Sequence, residues 1–544
     1  TSTSGGGAEI TIIGDDTGAS VVNFGDNNDE DVGYIEYDHN STKFSFGVET
    51  AVRFVLDTNS RISLSNNDNN TGNTVFGKTA FNAGSDNASD YNTAVGELAM
   101  GTGSVSGALN NTAIGYKAME DVTSGDYNVA VGTNVLGSIT GGNGNTAVGT
   151  FAGQSLAGGV RNTLLGYSAL GAADGDEDYN VCIGYAAGSS INADTADNNV
   201  LIGFEAGVGG GAAMISCVAI GANAMNSTAA NAQTGTVAIG HDALTALTSG
   251  TNNLSIGYDS MSANQTSDDN IGIGWKALKD LTNDGATRNT TVGNYSQQNI
   301  VSGIYNTTFG YNTLGEATTA LNNTAIGYSA MSAVKAGVAV DGCVAIGYNA
   351  LLGNSSNSTG IDGTVAIGYT ALGALTTGNG NTAIGYQAMD SVTAGSHNTA
   401  VGYTALASMA SSSSHNTAVG RDALLNMNKA DDGNNTAVGS EAGNVITGGY
   451  NNTIIGAASD PSAAGGVNQI VLGYGVAGQG DNYAVIGNGS TTRLYAGDDS
   501  GGTFYGAGQS WSDSRIKTNV KDIGLGLDFI NKIEPIQYTK KQPK

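Results

Sequence analysis

Side chains able to do chemistry are few in this 544-residue chain, and most sit at recurring positions. Eleven tyrosines follow directly after a recurring glycine, from Tyr116 to Tyr474, with Tyr328, Tyr348, Tyr369, Tyr386 and Tyr403 among them and Phe204 and Trp275 in the same column. An exposed aromatic stripe could stack on sugars. A ladder of stacked tyrosines is also an ordinary way to stabilise a sheet, and that is the preferred reading. Asp-rich stretches at 25–31 (GDNNDED), 174–178 (DGDED) and 267–269 (SDD) could bind calcium. They lack the GGxGxDxUx spacing of calcium-binding β-rolls, so solvated loops are expected and no metal site or cofactor is assigned. The four histidines (His39, His241, His397, His415) are scattered and suggest no triad. Cys182, Cys217 and Cys343 form no CxxC pair and no Cys/His cluster, so a zinc site is not expected. Glycine-rich runs at 141–145 and 207–211 read as turns, since no GxxxxGK[ST] phosphate loop occurs.

The element that must position these side chains is a repeat. The decapeptide NNTAIGYSAM (322–331) recurs closely at 110–119, 380–389 and 397–406, and its glycine marks a register of 24 copies from Gly77 to Gly487, mostly 17 to 19 residues apart. A period in this range means a solenoid with one supersecondary unit per repeat. The residue before the glycine is apolar in all 24 copies, as in Ile114–Gly115, Ile326–Gly327 and Ile384–Gly385. The residue four before is Asn in 18 copies, including Asn111 and Asn323, and the residue three after is Ala in 17. The segment N-T-A-[IV]-G is short, β-branched and bounded by turn formers, so it reads as a strand. Gly, Asn and Thr in every would-be turn argue against helix.

Parallel stacking places like residues about 4.8 Å apart, so 24 coils would give a shaft on the order of 110 Å long. The Ile/Val column then forms an apolar spine, and the Asn column could form an amide ladder or hold a turn in the left-handed region. Ile on one face and Ala with Gly on the other leave neither face charged, which is the pattern of a strand buried on both sides. One coil has a single narrow interior, so the second face is expected to pack against another chain.

Composition agrees. Gly numbers 84 and Pro only 3, with none before Pro461, as a ladder that uses every amide requires. A net charge of −27 disfavours nucleic acid, which calls for clustered Lys and Arg, and suits a particle kept apart by self-repulsion. Disorder is rejected, because polar tracts do not hold Ile or Val in phase over two dozen repeats. No signal-peptide pattern opens the sequence and no run of about 20 apolar residues offers a membrane helix, so no membrane insertion is expected. Cys217 and Cys343 fall in the Asn column and Cys182 in the Ala column, as small buried residues.

In chain order, residues 1–20 read as a lead-in with a short apolar strand at 10–13, and 21–72 as a small antiparallel β collar with strands near 32–39, 43–48, 51–57 and 61–65. The string GYIEYDHNSTKFSFGVETAVRFVLDTNSRISL resembles a module of bacteriophage tail fibres that precedes a repetitive shaft. Residues 73–490 form the shaft. Its NTAIGxxA repeats resemble the head of trimeric autotransporter adhesins, which implies a parallel β-roll built as a homotrimer, although loops such as 226–235 and 408–415 lengthen the period. The stalk and membrane barrel of those adhesins have no counterpart in the segment. Residues 491–511 read as a β linker.

From 512 the character changes: seven Lys or Arg against four acids give +3, whereas the preceding 511 residues carry 13 basic and 43 acidic side chains for −30. The run SDSRIKTNVKDIGLGLDFINKIEPIQYTKK resembles the opening of the intramolecular chaperone domain of endosialidase-type tailspikes and long tail fibres, on Ser512, Asp513, Arg515, Lys517 and EPIQY (534–538). The resemblance implies that Ser512 attacks the Trp511–Ser512 peptide bond with Lys517 as base, which desolvation of the amine would permit. The plainer alternative has Ser512 capping a turn and Lys517 solvated. A single self-cut is not turnover, so no enzyme is expected. The resulting expectation is an all-β, homotrimeric virion appendage, extracellular, joined to other tail or capsid proteins and meeting a host glycan or protein receptor. A bacterial trimeric adhesin and a glycan-degrading tailspike are the alternatives.

Overall fold

The computed structural model describes Ile12, Gly14 and residues 18–494, except 26–32, 41, 49–50, 57–61, 64–71, 82–87, 228–231, 283–284, 335–336, 338–339, 354–358, 410–412, 429–432 and 493. The expected strand at 10–13 and the segments 495–511 and 512–544 therefore lie outside the described residues, apart from Ile12, which is not in a strand.

Toward the N-terminus, β1 (Ala19–Phe24), β2 (Gly33–Asp38), β3 (Lys43–Val48), β4 (Ala51–Leu56) and β5 (Ile62–Ser63) form one antiparallel sheet in chain order. Alternating apolar and polar residues and short polar turns favour this meander. A register shift between Phe46 and Gly47 marks a bulge in β3. The sequence pattern pointed to β2 through β5. It did not name β1, which pairs residue for residue with β2 from Ala19 opposite Asp38 to Phe24 opposite Gly33.

The shaft is a parallel β-solenoid. Among the described residues twenty-four strands of three residues each run from Thr74–Phe76 to Ala484–Ile486, and each pairs with the strands of the neighbouring rungs. No described pairing joins the first rung to the last, so the stack is open-ended. Register is kept by the glycine phase: Thr112, Ala113 and Ile114 lie opposite Val129, Ala130 and Val131. Among the described residues there is no helix.

The inner side of each strand is the Ala position two before the glycine, as in Ala94, Ala113, Ala130 and Ala147, all fully buried. The Ala three after the glycine and the Leu or Met four after it join this core (Ala118 and Met119, Ala169 and Leu170, Ala388 and Met389). A fourth column, seven after the glycine, closes the coil with Val122, Ile139, Leu156, Ile191 and Val392. The sequence reading did not single out that last column. The Ile/Val spine faces outward instead and stays partly exposed in the single chain, with Ile114 at 39% and Ile384 at 37%.

Backbone polarity is satisfied between rungs. Beyond the strand, the Lys117 amide donates to the Glu97 carbonyl one rung back and the Met119 amide donates to the Val135 carbonyl one rung on. Alternating bond direction this way puts Lys117 (φ 59°) and Met119 (φ 49°) in the left-handed region, and the pattern recurs along the stack. The glycine itself has no alternative. Gly327 sits at φ +126°, and a Cβ there would lie 2.5 Å from the carbonyl oxygen of Gly347 in the next rung.

Candidate functional site

The Asn column resolves into a buried amide ladder. Asn128 donates from Nδ2 to Asn111 Oδ1 (3.1 Å) and to the Gly142 carbonyl (2.8 Å), while its own Oδ1 accepts from the Asn145 amide (2.9 Å) and Asn145 Nδ2 (3.0 Å). The Asn128 amide thereby meets its full bonding capacity with no water. Asn111 and Asn323 hold the same position in their rungs. Cys217 and Cys343 interrupt the ladder, yet their backbone amides still donate to Asn199 and Asn323. Burial alone pushes the Cys182 thiol up to about 12, and burial leads the rise of Cys343 to about 11, so neither forms a thiolate near neutral pH.

The tyrosine column stacks. Tyr311, Tyr328, Tyr348, Tyr369, Tyr386 and Tyr403 have ring centroids 5.1 to 5.3 Å apart and planes within 9° of one another, and Tyr167, Tyr185 and Phe204 form a shorter stack of the same kind. Parallel in-register rungs impose this spacing on any column of identical side chains. Ring faces inside the stack meet the neighbouring rings, so a sugar reaches only ring edges and hydroxyl groups. This is the stacked ladder that the column of tyrosines led one to prefer over a sugar platform.

Loop carboxylates are organised rather than simply solvated. Six residues before the glycine, an Asp accepts a backbone amide from the rung below: Asp126 from Leu109 (2.7 Å), Asp178 from Val160 (2.7 Å), Asp268 from Thr251 (2.6 Å) and Asp481 from Val467 (2.8 Å). Sequence reading missed this bracket, because fewer than half of the copies carry Asp or Asn at that position. Asp269 instead pairs with Arg288 at 3.7 Å.

One cluster differs from these brackets. Carboxylate oxygens of Asp174, Glu177 and Asp194 all lie within 4.8 Å of one another, drawn from loops of two successive rungs. Glu177 is fully buried, which corrects the expectation of a solvated 174–178 loop. Its Oε2 accepts from the Gly175 amide at 3.1 Å, and its Oε1 has no partner. Burial, with Asp174 and Asp194 adding repulsion, raises the Glu177 pKa above the ordinary carboxylate value. The stretch 25–31, apart from Gly25, lies outside the described residues, as do the motif residues Ser512, Asp513, Arg515 and Lys517. The histidines remain apart, with only His397 and His415 stacked on each other among the described residues. No described helix is long and apolar enough to cross a membrane.

Among curated proteins the chain has no significant match. Residues 512–544 match the family model described as chaperone of endosialidase, the same segment in which charge and glycine content change.

Proposed function

We propose that this chain is the subunit of a homotrimeric fibre on a phage virion, a tail fibre or similar appendage that carries a receptor-binding role at the host surface. The observation that carries the reading is the pairing of a long parallel solenoid with a C-terminal segment matching the chaperone of endosialidase. Support for three chains comes from the outer Ile/Val column, an apolar stripe along most of the shaft that a single chain leaves partly in water. Burying it against sister chains recovers about 25 cal/mol for each Å² of apolar surface removed from water. Three identical shafts would also present each loop three times, so weak contacts add as avidity. Immunogold labelling of virions with antibody to the shaft tests the reading. Label on a tail appendage is expected, and label absent from intact particles would overturn it.

Within the same proposal, Ser512 and Lys517 make a single self-cut. The Lys517 amine takes the Ser512 hydroxyl proton as Oγ attacks the Trp511 carbonyl carbon, and passes it to the leaving Ser512 nitrogen. The Trp511–Ser512 amide becomes an ester, which water hydrolyses to a Trp511 carboxylate and a free Ser512 hydroxyl. Intact-mass spectrometry separates this from a merely turn-capping Ser512. Wild type is expected as two fragments and Ser512→Ala as one, and identical whole masses would rule the cut out.

The tailspike alternative requires glycan cleavage. Incubation with host-surface polysaccharide is expected to give no shortened product, and shortened chains would favour that alternative.

A further inference from the structure

We propose that Asp174, Glu177 and Asp194 form a calcium site that clips two successive rungs of the shaft. Oxygen ligands on opposite sides of a Ca²⁺ at about 2.4 Å are about 4.8 Å apart. The three carboxylates fall within that span of one another, so one ion can touch all three. Among the described residues no cation pairs with them: the Glu177 side chain is fully buried, one of its oxygens has no hydrogen-bond partner, and both neighbouring groups are acids. A buried carboxylate without a partner is costly unless it is paired or coordinates a metal. Asp174 and Asp194 are exposed, which leaves a path for the ion and room for water to complete the shell.

The backbone makes space for the arrangement. A Cβ on Gly175 would collide with the Asp194 carboxylate reaching across from the next rung, so the glycine lets two loops approach closely enough to share a ligand. The donor set is all oxygen, which suits a hard cation and not zinc or copper. An irregular cluster drawn from two loops suits Ca²⁺, which takes six to eight oxygens flexibly, better than Mg²⁺, which demands a near-ideal octahedron. The site differs from the Asp brackets six before the glycine, each of which already spends an oxygen on a backbone amide. It also does not depend on the fibre reading.

The test is calcium titration calorimetry of the full chain after chelator treatment, comparing wild type, Glu177→Gln and Asp194→Asn. Wild type is expected to bind one more Ca²⁺ per chain than either variant, with a Kd on the order of 10⁻⁴ M, as in extracellular modules. Mg²⁺ at the same concentration is expected to bind at least about tenfold more weakly. In chelator, Glu177→Gln is expected to unfold at or above the wild-type temperature, because it removes a buried charge; a Glu that served only as a structural hydrogen-bond acceptor would give a loss instead. If Glu177→Gln does not fold, Asp194→Asn, altered at an exposed position, decides alone. Equal stoichiometry in wild type and variants, or equal binding of Mg²⁺, would overturn the assignment.

Discussion

On the inner side of the shaft strands, Ala113, Ala130 and Ala147 have no accessible surface, and Asn111, Asn128 and Asn145 beside them bond to one another and to the rungs. One residue along, on the outer side, Ile114 and Ile384 remain more than a third exposed, and Tyr328 through Tyr403 stack with their edges in water. The inner side is complete within one chain: apolar atoms packed, amides paired, turns bonded to the next rung. The outer side has the regularity of a core without a cover. Side-chain size follows the same division. Within the strand, small Ala inside lets the coil close tightly, while larger Ile, Val and Leu outside offer area to another surface. The solenoid is thus self-sufficient as a fold and unfinished as a surface.

Placing a charge on each side breaks the comparison most directly. Ala325→Asp is expected to prevent folding of its rungs, since an unpaired buried carboxylate costs several kcal/mol, whereas Ile326→Asp one residue on should leave the chain folded and disrupt assembly. Circular dichroism with sedimentation separates the two outcomes, and equal damage from both would erase the inner–outer distinction. Next in size is Gly327→Ala. Its φ of +126° is a region essentially restricted to glycine, and the neighbouring carbonyl blocks a Cβ, so a loss of about 3 kcal/mol or more is expected in denaturant melts. Asn128→Ala strands ladder partners on both sides and is expected to cost about 2 kcal/mol, the middle of the range for buried polar groups left unpaired. Tyr369→Ala removes one ring from the outer stack and is expected to cost no more than about 1 kcal/mol. A Tyr369 loss larger than that of Asn128 would reverse the ranking of the two columns.

The strand phase, the Asn column and the Ala positions were legible because each rung imposes the same demand on the same residue, and repetition makes that demand visible. Which strand face is inner was not legible, since Ala325 and Ile326 are both apolar and no charge marks either side. Turn conformation was hidden as well. Lys117 and Met119 have no local preference for positive φ, and it is the hydrogen bonds to neighbouring rungs that hold them there. The fourth core column escaped because loop lengths vary beyond it, blurring its phase in sequence. The meeting of Glu177 with Asp194 is a contact between loops of adjacent rungs, and nothing in either loop alone announces it. At the C-terminus, the Ser512 motif was readable from residue types and matches the chaperone family, while its geometry lies outside the described residues.

The covering of the outer column is measured most directly by the mass of the particle in solution, by light scattering coupled to size exclusion. A homotrimer of 54.4 kDa chains gives about 163 kDa, and loss of residues 512–544 by cleavage would leave the threefold ratio intact. A trimeric mass is the expected result; a stable, well-folded particle at 54.4 kDa would contradict it.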